Sequence, residues 1–319
     1  MGKNKEKLSL EKKDMTLDQF FTKPDVAKRL YDVVGENVDF DSFDVFLEPS
    51  VGVNSFGSNF PPNKGVLMDI DPKQNVFWYN QKTQKHEIVK AKDKKINIIQ
   101  MDFLSLGDSI DTLGLFPNKK IVVIGNPPFG QGSSLAVKFF NICAKISNTI
   151  CFIVPRTFKR VSIQNRLDLN FHLIYNEDLP YSSADCIFEP VMNAKCCMQI
   201  WQRSEKKRTL VKLASTHRDW EFLPLGPLKD REGCENKQPT PPPNADFAMK
   251  AYGSNCGEIV TEGLADLRPK SWHWFKCKDS EKLIKRFNQL DYSISEDAVR
   301  QSSIGRKDLI EIYTKKFGK

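Results

Sequence analysis

Residues Ile121–Gly132 read I-V-V-I-G-N-P-P-F-G-Q-G, and the fold turns on how this stretch is parsed. Four β-branched apolar residues in succession, Ile121–Ile124, predict a short buried strand that stops at Gly125. Pro127 and Pro128 then hold φ near −65° and remove two N–H donors. Asn126, as the residue before a proline, is pushed out of the helical region. The chain therefore leaves the strand stiffly, with Asn126 and Phe129 at its tip in a fixed relation. Gly130 and Gly132 restore freedom to turn. Ser133 or Ser134 is the expected N-cap of a helix beginning near Leu135. Taken alone, the tetrapeptide also reads as an ordinary Pro-Pro turn closing a strand.

The flanking sequence repeats the pattern of strand, then helix. Upstream, Asp44–Glu48, Val66–Asp71 and Ile96–Met101 predict strands. Downstream, Thr149–Pro155, Phe171–Tyr175 and Lys195–Arg203 do the same, and Leu135–Ile146 has the apolar spacing of an amphipathic helix. About seven strands fit between residues 40 and 203, the last of them antiparallel, so an open, largely parallel α/β sheet is expected. Thr22 before Lys23-Pro24 is a helix-start signal, with Val26, Leu30, Val33 and Val34 at helical spacing behind it. Asp71-Pro72 reads as an N-cap with proline at the first helical position. Residues 81–95, polar and rich in lysine, read as a surface loop.

Three strand ends carry acidic residues. Glu48 is followed by Pro49 and Gly52, an arrangement in which a carboxylate can receive an ammonium group while glycine admits a close backbone approach. Val66–Asp71 ends in Asp69 and Asp71, and carboxylates at a strand's C-terminal tip are well placed to take two ribose hydroxyls. Asp102-Phe103 follows the third strand, and also reads as a turn aspartate beside a core phenylalanine.

The 319-residue chain is long enough for one large domain and a smaller one. It has no apolar run of 18 residues and no apolar leader, so neither a membrane span nor a secretory signal is expected, and an intracellular location is. Its eight cysteines form no C-x-x-C pair and lie apart from the four histidines, which predicts reduced thiols and no metal site. The net charge is +8; up to Gln202 there are 25 basic and 23 acidic residues, beyond it 23 and 17. That excess suits a nucleic-acid partner. Residues 1–14, with five lysines, are expected to be a flexible basic tail, and residues 15–203 one domain. From residue 204 to 319 the periodicity weakens into a small α+β extension with a loop at Pro239–Pro243. There Trp272-His273-Trp274-Phe275 predicts alternating strand core or a base-stacking surface, His273 a polar-face residue, and Glu281–Leu290 and Arg306–Lys319 helices.

Asn126-Pro127-Pro128-Phe129 resembles the catalytic motif of S-adenosylmethionine-dependent methyltransferases acting on planar amino groups, chiefly the N6-adenine enzymes. F-F-T-K-P around Thr22 and Pro24 resembles their upstream cofactor segment, and Glu48-Pro49-x-x-Gly52 their motif I. The order of the motifs resembles the gamma arrangement of DNA adenine methyltransferases, over roughly residues 17–203. The resemblance implies a Rossmann-like class I methyltransferase fold and S-adenosylmethionine as cofactor. It places Thr22, Pro24, Glu48, Pro49, Gly52, Asp69, Asp102, Phe103 and Asn126 on that cofactor. It implies that Asn126 and the Pro127 carbonyl accept from the adenine amino group, with Pro128 stiffening the turn and Phe129 stacking on a flipped base. DNA is the expected substrate and the C-terminal region its reader. That region is small for the class, which leaves RNA open. Protein glutamine methylation and a silent nucleic-acid-binding subunit are the other readings.

Overall fold

The computed structural model describes Leu10 and residues 20–109, 116–230 and 235–318. The basic tail, Leu10 apart, lies outside the described residues. The chain divides into two units, one of residues 1–158 and 163–210, the other of residues 159–162 and 211–319.

In chain order the first unit holds β1 (Phe21–Thr22), α1 (Pro24–Asn37), β2 (Val45–Glu48), β3 (Gly65–Asp69), β4 (Asn75–Asn80), β5 (Lys85–Lys90), β6 (Ile98–Gln100), β7 (Ile121–Gly125), α2 (Ser134–Ile146) and β8 (Thr149–Pro155). A single turn, α3 (Val161–Gln164), precedes β9 (Phe171–Asp178), β10 (Phe188–Glu189) and β11 (Cys196–Arg203). Seven strands make one sheet in the order β6-β3-β2-β7-β8-β11-β9. The first five are parallel, and β11 runs antiparallel to both β8 and β9. This is the mostly parallel α/β sheet the strand–helix alternation predicts.

The central strand β7 is buried at all five residues. Its alternate side chains face opposite sides of the sheet. Ile121 and Val123 pack with Leu47 against α2, through Ala136, Val137 and Phe140. On β2, Phe46 points the other way, into a cluster of rings with Tyr31, Phe40, Phe43 and Phe60. Each fully buried Ile or Val of β7 contributes about 1.5–3 kcal/mol.

Several expectations need correction. Helix α1 takes Lys23 as its N-cap with Pro24 at the first helical position, while Thr22 belongs to β1, paired with Phe188. No helix follows Asp71-Pro72. The aromatic and β-branched residues behind it, V-F-W-Y at 76–79, form β4 instead, and Asp71 pairs with Lys73. Residues 81–95 are likewise not a loop, because β5 pairs antiparallel with β4 along its whole length. Ser133 precedes α2 but caps nothing with its hydroxyl, which meets Thr157 Oγ1 at 2.6 Å. The Phe129 carbonyl accepts from Leu135 N–H and Ala136 N–H in its place.

The second unit contains β12 (Trp220–Phe222), β13 (Leu228–Lys229), β14 (Gln238–Pro239), β15 (Phe247–Lys250), β16 (Ile259–Val260), β17 (Trp272–Cys277), α4 (Ser280–Phe287) and α5 (Arg306–Phe317). Its four-stranded sheet, ordered β12-β17-β15-β16, is antiparallel throughout. Strand β17 does not alternate. Trp274 and Phe275 are both buried although they face opposite sides, so this part of the sheet is covered twice. Segment 159–162 gives this unit Arg160, whose guanidinium meets the buried Asp308 carboxylate at 3.1 Å and the Ile294 and Ser303 carbonyls. A largely buried cation needs such partners, and losing the carboxylate would cost up to about 3–5 kcal/mol.

Among the described residues no helix is long and apolar enough to cross a membrane, and no group of three His, Cys, Asp or Glu could hold a metal ion. The seven described cysteines are free.

His273 is not a free polar-face residue, since Nε2 donates to the Ile304 carbonyl at 2.9 Å. Burial lowers its pKa from 6.5 to about 4, against the opposing pull of that bond. The unfolded chain therefore binds a proton that the folded chain refuses between about pH 6.5 and 4. Stability is full above this window and is lost as pH falls through it. A series of thermal melts should show a steeper decline over this range for the wild type than for His273→Gln. Parallel slopes would refute the assignment.

Candidate active site

Adjacent parallel strands β6, β3, β2 and β7 each deliver one polar residue at or just beyond the C-terminal end: Asp102, Asp69, Glu48 and Asn126. Between β2 and β7 the chain changes direction of travel across the sheet, since β3 and β6 lie to one side and β8 to the other. Open α/β sheets form crevices for ligands at such a switch point.

Two cavities open there, side by side. The larger, of about 350 Å³, is lined by Pro49, Asp69, Ile70, Asp102, Phe103 and Pro128 among others. The smaller, of about 30 Å³, is lined by Thr22, Glu48 and Ser55 among others. Phe20, Phe21, Ser50, Gly52 and Asn126 border both. Of the residues expected at the site, Pro24, Pro127 and Phe129 line neither.

Asp69 is held in place from behind. Its Oδ2 accepts from Gly52 N–H at 2.7 Å and its Oδ1 from Asp71 N–H at 2.8 Å, leaving further lone pairs for the cavity. Gly52 has a φ of +52°, and a Cβ there would stand 3.0 Å from the Phe21 ring. Asp102 is exposed and accepts from Leu104 N–H at 2.9 Å. Phe103 is buried and stacks on Phe139, with centroids 5.4 Å apart.

Glu48 is buried, with Oε2 accepting from Gly57 N–H at 2.8 Å. Burial pushes its carboxyl well above the usual carboxylate range. The Gly57 bond opposes this and the neighbouring Asp69 adds to it. A ligand ammonium in the small cavity would reverse that balance. Gly125 of β7 faces Glu48 closely enough that a Cβ would lie 3.2 Å from its Cγ.

Asn126 borders both cavities. Its Nδ2 donates to the Phe20 carbonyl at 2.6 Å. A carbonyl only accepts, so this bond settles the amide orientation. Oδ1 is then buried with no partner among the described residues, as is Thr22 Oγ1. A buried acceptor left open costs about 1–3 kcal/mol, which a ligand N–H can recover. The Phe129 ring is itself buried, 5.7 Å from Phe20 and 6.4 Å from Phe188. Phe20 and Phe188 are 6.0 Å apart, so the three rings form a triangle.

No protein-family model and no curated protein matches the chain. Among solved structures, a candidate RNA methyltransferase from Pyrococcus horikoshii matches 63% of this chain and 93% of its own at 12% identity, with a TM-score of 0.41. EvdMO1 matches 57% of this chain and 40% of its own at 9% identity, with a TM-score of 0.30. Likenesses this distant bring no function with them.

Sequence reasoning passed over Ile70, Ser50 and Phe188. Ile70 is 50% exposed at the mouth of the larger cavity, offering an apolar face to a flat ring. An apolar residue between Asp69 and Asp71, just past a strand end, was the available signal. Phe188 had none, because its place depends on β10 pairing with β1, far away in sequence.

The loop after Phe129 depends on Gly130, whose φ of +67° and ψ of 173° lie in a region reserved for glycine. A Cβ there would be 2.6 Å from Leu135 Cγ, whereas one on Gly132 would meet nothing within 4 Å. Gly130→Ala should lower the urea unfolding stability by about 2–4 kcal/mol and Gly132→Ala by about 1. Equal losses would show that the loop accommodates both.

Proposed function

We propose that the chain is an S-adenosylmethionine-dependent methyltransferase acting on the N6 amine of adenine in nucleic acid, with DNA as the favoured substrate. The observation that carries this reading is the open Asn126 Oδ1, a buried acceptor at the tip of a stiff Pro-Pro turn beside two cavities.

The cavities suit the cofactor. Asp69 would take its ribose hydroxyls, while Ile70, Asp102 and Phe103 would take its adenine. Glu48, Thr22 Oγ1 and Asn126 border the small cavity where its ammonium group would fit. When bound, the cofactor supplies an electrophilic methyl group on a sulfonium.

The amino group of adenine is a poor nucleophile because its lone pair is delocalised into the ring. Asn126 Oδ1 and the Pro127 carbonyl would accept from its two N–H bonds. They would favour the pyramidal, developing-positive nitrogen of the transition state over the flat ground state. Proline at 127 offers that carbonyl without a competing donor. A base reaching this point has to leave its stack. It would displace the Phe20 ring, leaving the Phe20 main chain on Asn126, and lie against Phe129 and Phe188. Holding the nitrogen in line is worth up to about 7–11 kcal/mol.

The decisive assay supplies methyl-labelled S-adenosylmethionine to separate pools of unmethylated DNA and RNA, followed by nucleoside analysis. Label is expected in N6-methyldeoxyadenosine, and Asn126→Ala should lose about 100-fold or more in turnover at saturating cofactor. Label in N6-methyladenosine alone would move the substrate to RNA. Cofactor binding without label in either pool would refute a nucleic-acid substrate.

Glu48 supplies a second check. If its raised pKa falls when an ammonium group binds, binding releases a proton, and affinity climbs with pH up to the free-state pKa. Calorimetry in buffers of different ionisation enthalpy should detect that proton. It should vanish in Glu48→Gln, and a wild type that releases none would exclude the pairing.

A further inference from the structure

The first unit carries its positive charge in one place. Between Lys73 and Lys95 there are seven lysines and two carboxylates, Glu87 and Asp93. The remaining residues of the unit hold 20 basic and 22 acidic side chains, so outside this stretch the sign is reversed. Lys73 is buried and paired with Asp71. The other six, Lys82, Lys85, Lys90, Lys92, Lys94 and Lys95, are all exposed, on hairpin β4–β5 and the turn behind it.

Among the described residues none of these six is ion-paired to a carboxylate. Glu87, on β5 itself, accepts instead from Asn80 Nδ2 at 2.7 Å and from Thr83. Lys94 lies over the Trp78 ring with Nζ 3.7 Å from its centroid, a cation held on an aromatic platform. Concentrating like charge on one element costs stability through self-repulsion, a cost that a polyanion would remove.

The hairpin is mounted rigidly, and at the site. Phe77 N–H donates to the Val53 carbonyl at 2.8 Å, and Asn54 Nδ2 donates to the Phe77 carbonyl at 2.9 Å. The Phe77 ring packs with Val53 and with Phe21, which borders both cavities. The lysines are thus carried by an arm rooted in the loop that holds Gly52.

We propose that hairpin β4–β5 is a phosphate-gripping arm, binding the backbone of the nucleic acid whose base enters the site. This rests on the nucleic-acid reading above and adds that the first unit carries its own sequence-independent grip. Contacts of this kind position a substrate without reading it.

The test is binding of a labelled 30-base-pair DNA duplex, and of single-stranded DNA and RNA of the same length, across a salt series. The variants are Lys82→Gln/Lys85→Gln/Lys92→Gln/Lys95→Gln and its fourfold Lys→Arg counterpart. Removing four phosphate contacts should weaken duplex binding at least about tenfold and flatten the plot of log K against log salt by about 3–4. The arginine variant should bind like the wild type, cofactor affinity should be unchanged in both, and neither should melt below the wild type. Unchanged affinity and slope in the glutamine variant, with a wild type that binds and methylates, would overturn the arm alone. A wild type that binds none of the three probes would overturn the arm together with the nucleic-acid reading.

Discussion

The pairing of β2 with β7 is the constraint on which the site depends. These strands run parallel at the middle of the sheet, and both end in residues whose side chains have no room to choose. Glu48 is walled in by Gly57 on one side and by the bare face of Gly125 on the other. Asn126 leaves β7 through a backbone that two prolines have stiffened. An acidic group and an open amide oxygen are thereby set beside the same small cavity. Neither helices nor loops could hold them there as firmly as a hydrogen-bonded strand pair can.

The same pairing separates two kinds of polarity. On one flank stands Asp69, its carboxylate fastened by two backbone N–H groups and open toward a roomy, mostly apolar pocket. On the other, Glu48, Thr22 and Asn126 crowd a space one tenth as large, where solvent is scarce and electrostatic effects are correspondingly strong. A ligand with an aromatic, a sugar and a charged amino-acid portion could distribute itself over both. One with only a charged end, or only a ring, would leave buried groups unsatisfied.

Much of this was legible in the residues. The parallel strands announce themselves as β-branched runs because both their faces are covered, and the polar residue after each run marks the same edge of the sheet. What was not legible depended on partners distant in sequence. Thr22 looks like a helix cap until β10 pairs with its backbone. Asp71-Pro72 has the local chemistry of a helix start, but V-F-W-Y behind it prefers a pleated surface with Phe21 and Val53 beneath. Trp274 and Phe275 break the expected alternation because elements on both sides of their sheet bury them. His273 lies on a partly covered face and still finds a carbonyl. In each case local propensity was overruled by a contact made across the fold.

The hydrogen bond between Asn126 and the Phe20 carbonyl spans 106 residues of sequence. It is made by main chain, so no side-chain substitution at position 20 erases it directly. The bond is vulnerable to cutting. A protease that trims the chain past Phe20 would free the amide to rotate, exchanging an acceptor for a donor beside the two cavities. Preparations of equal purity could then differ in turnover while unfolding at nearly the same temperature, and intact mass rather than fold would tell them apart.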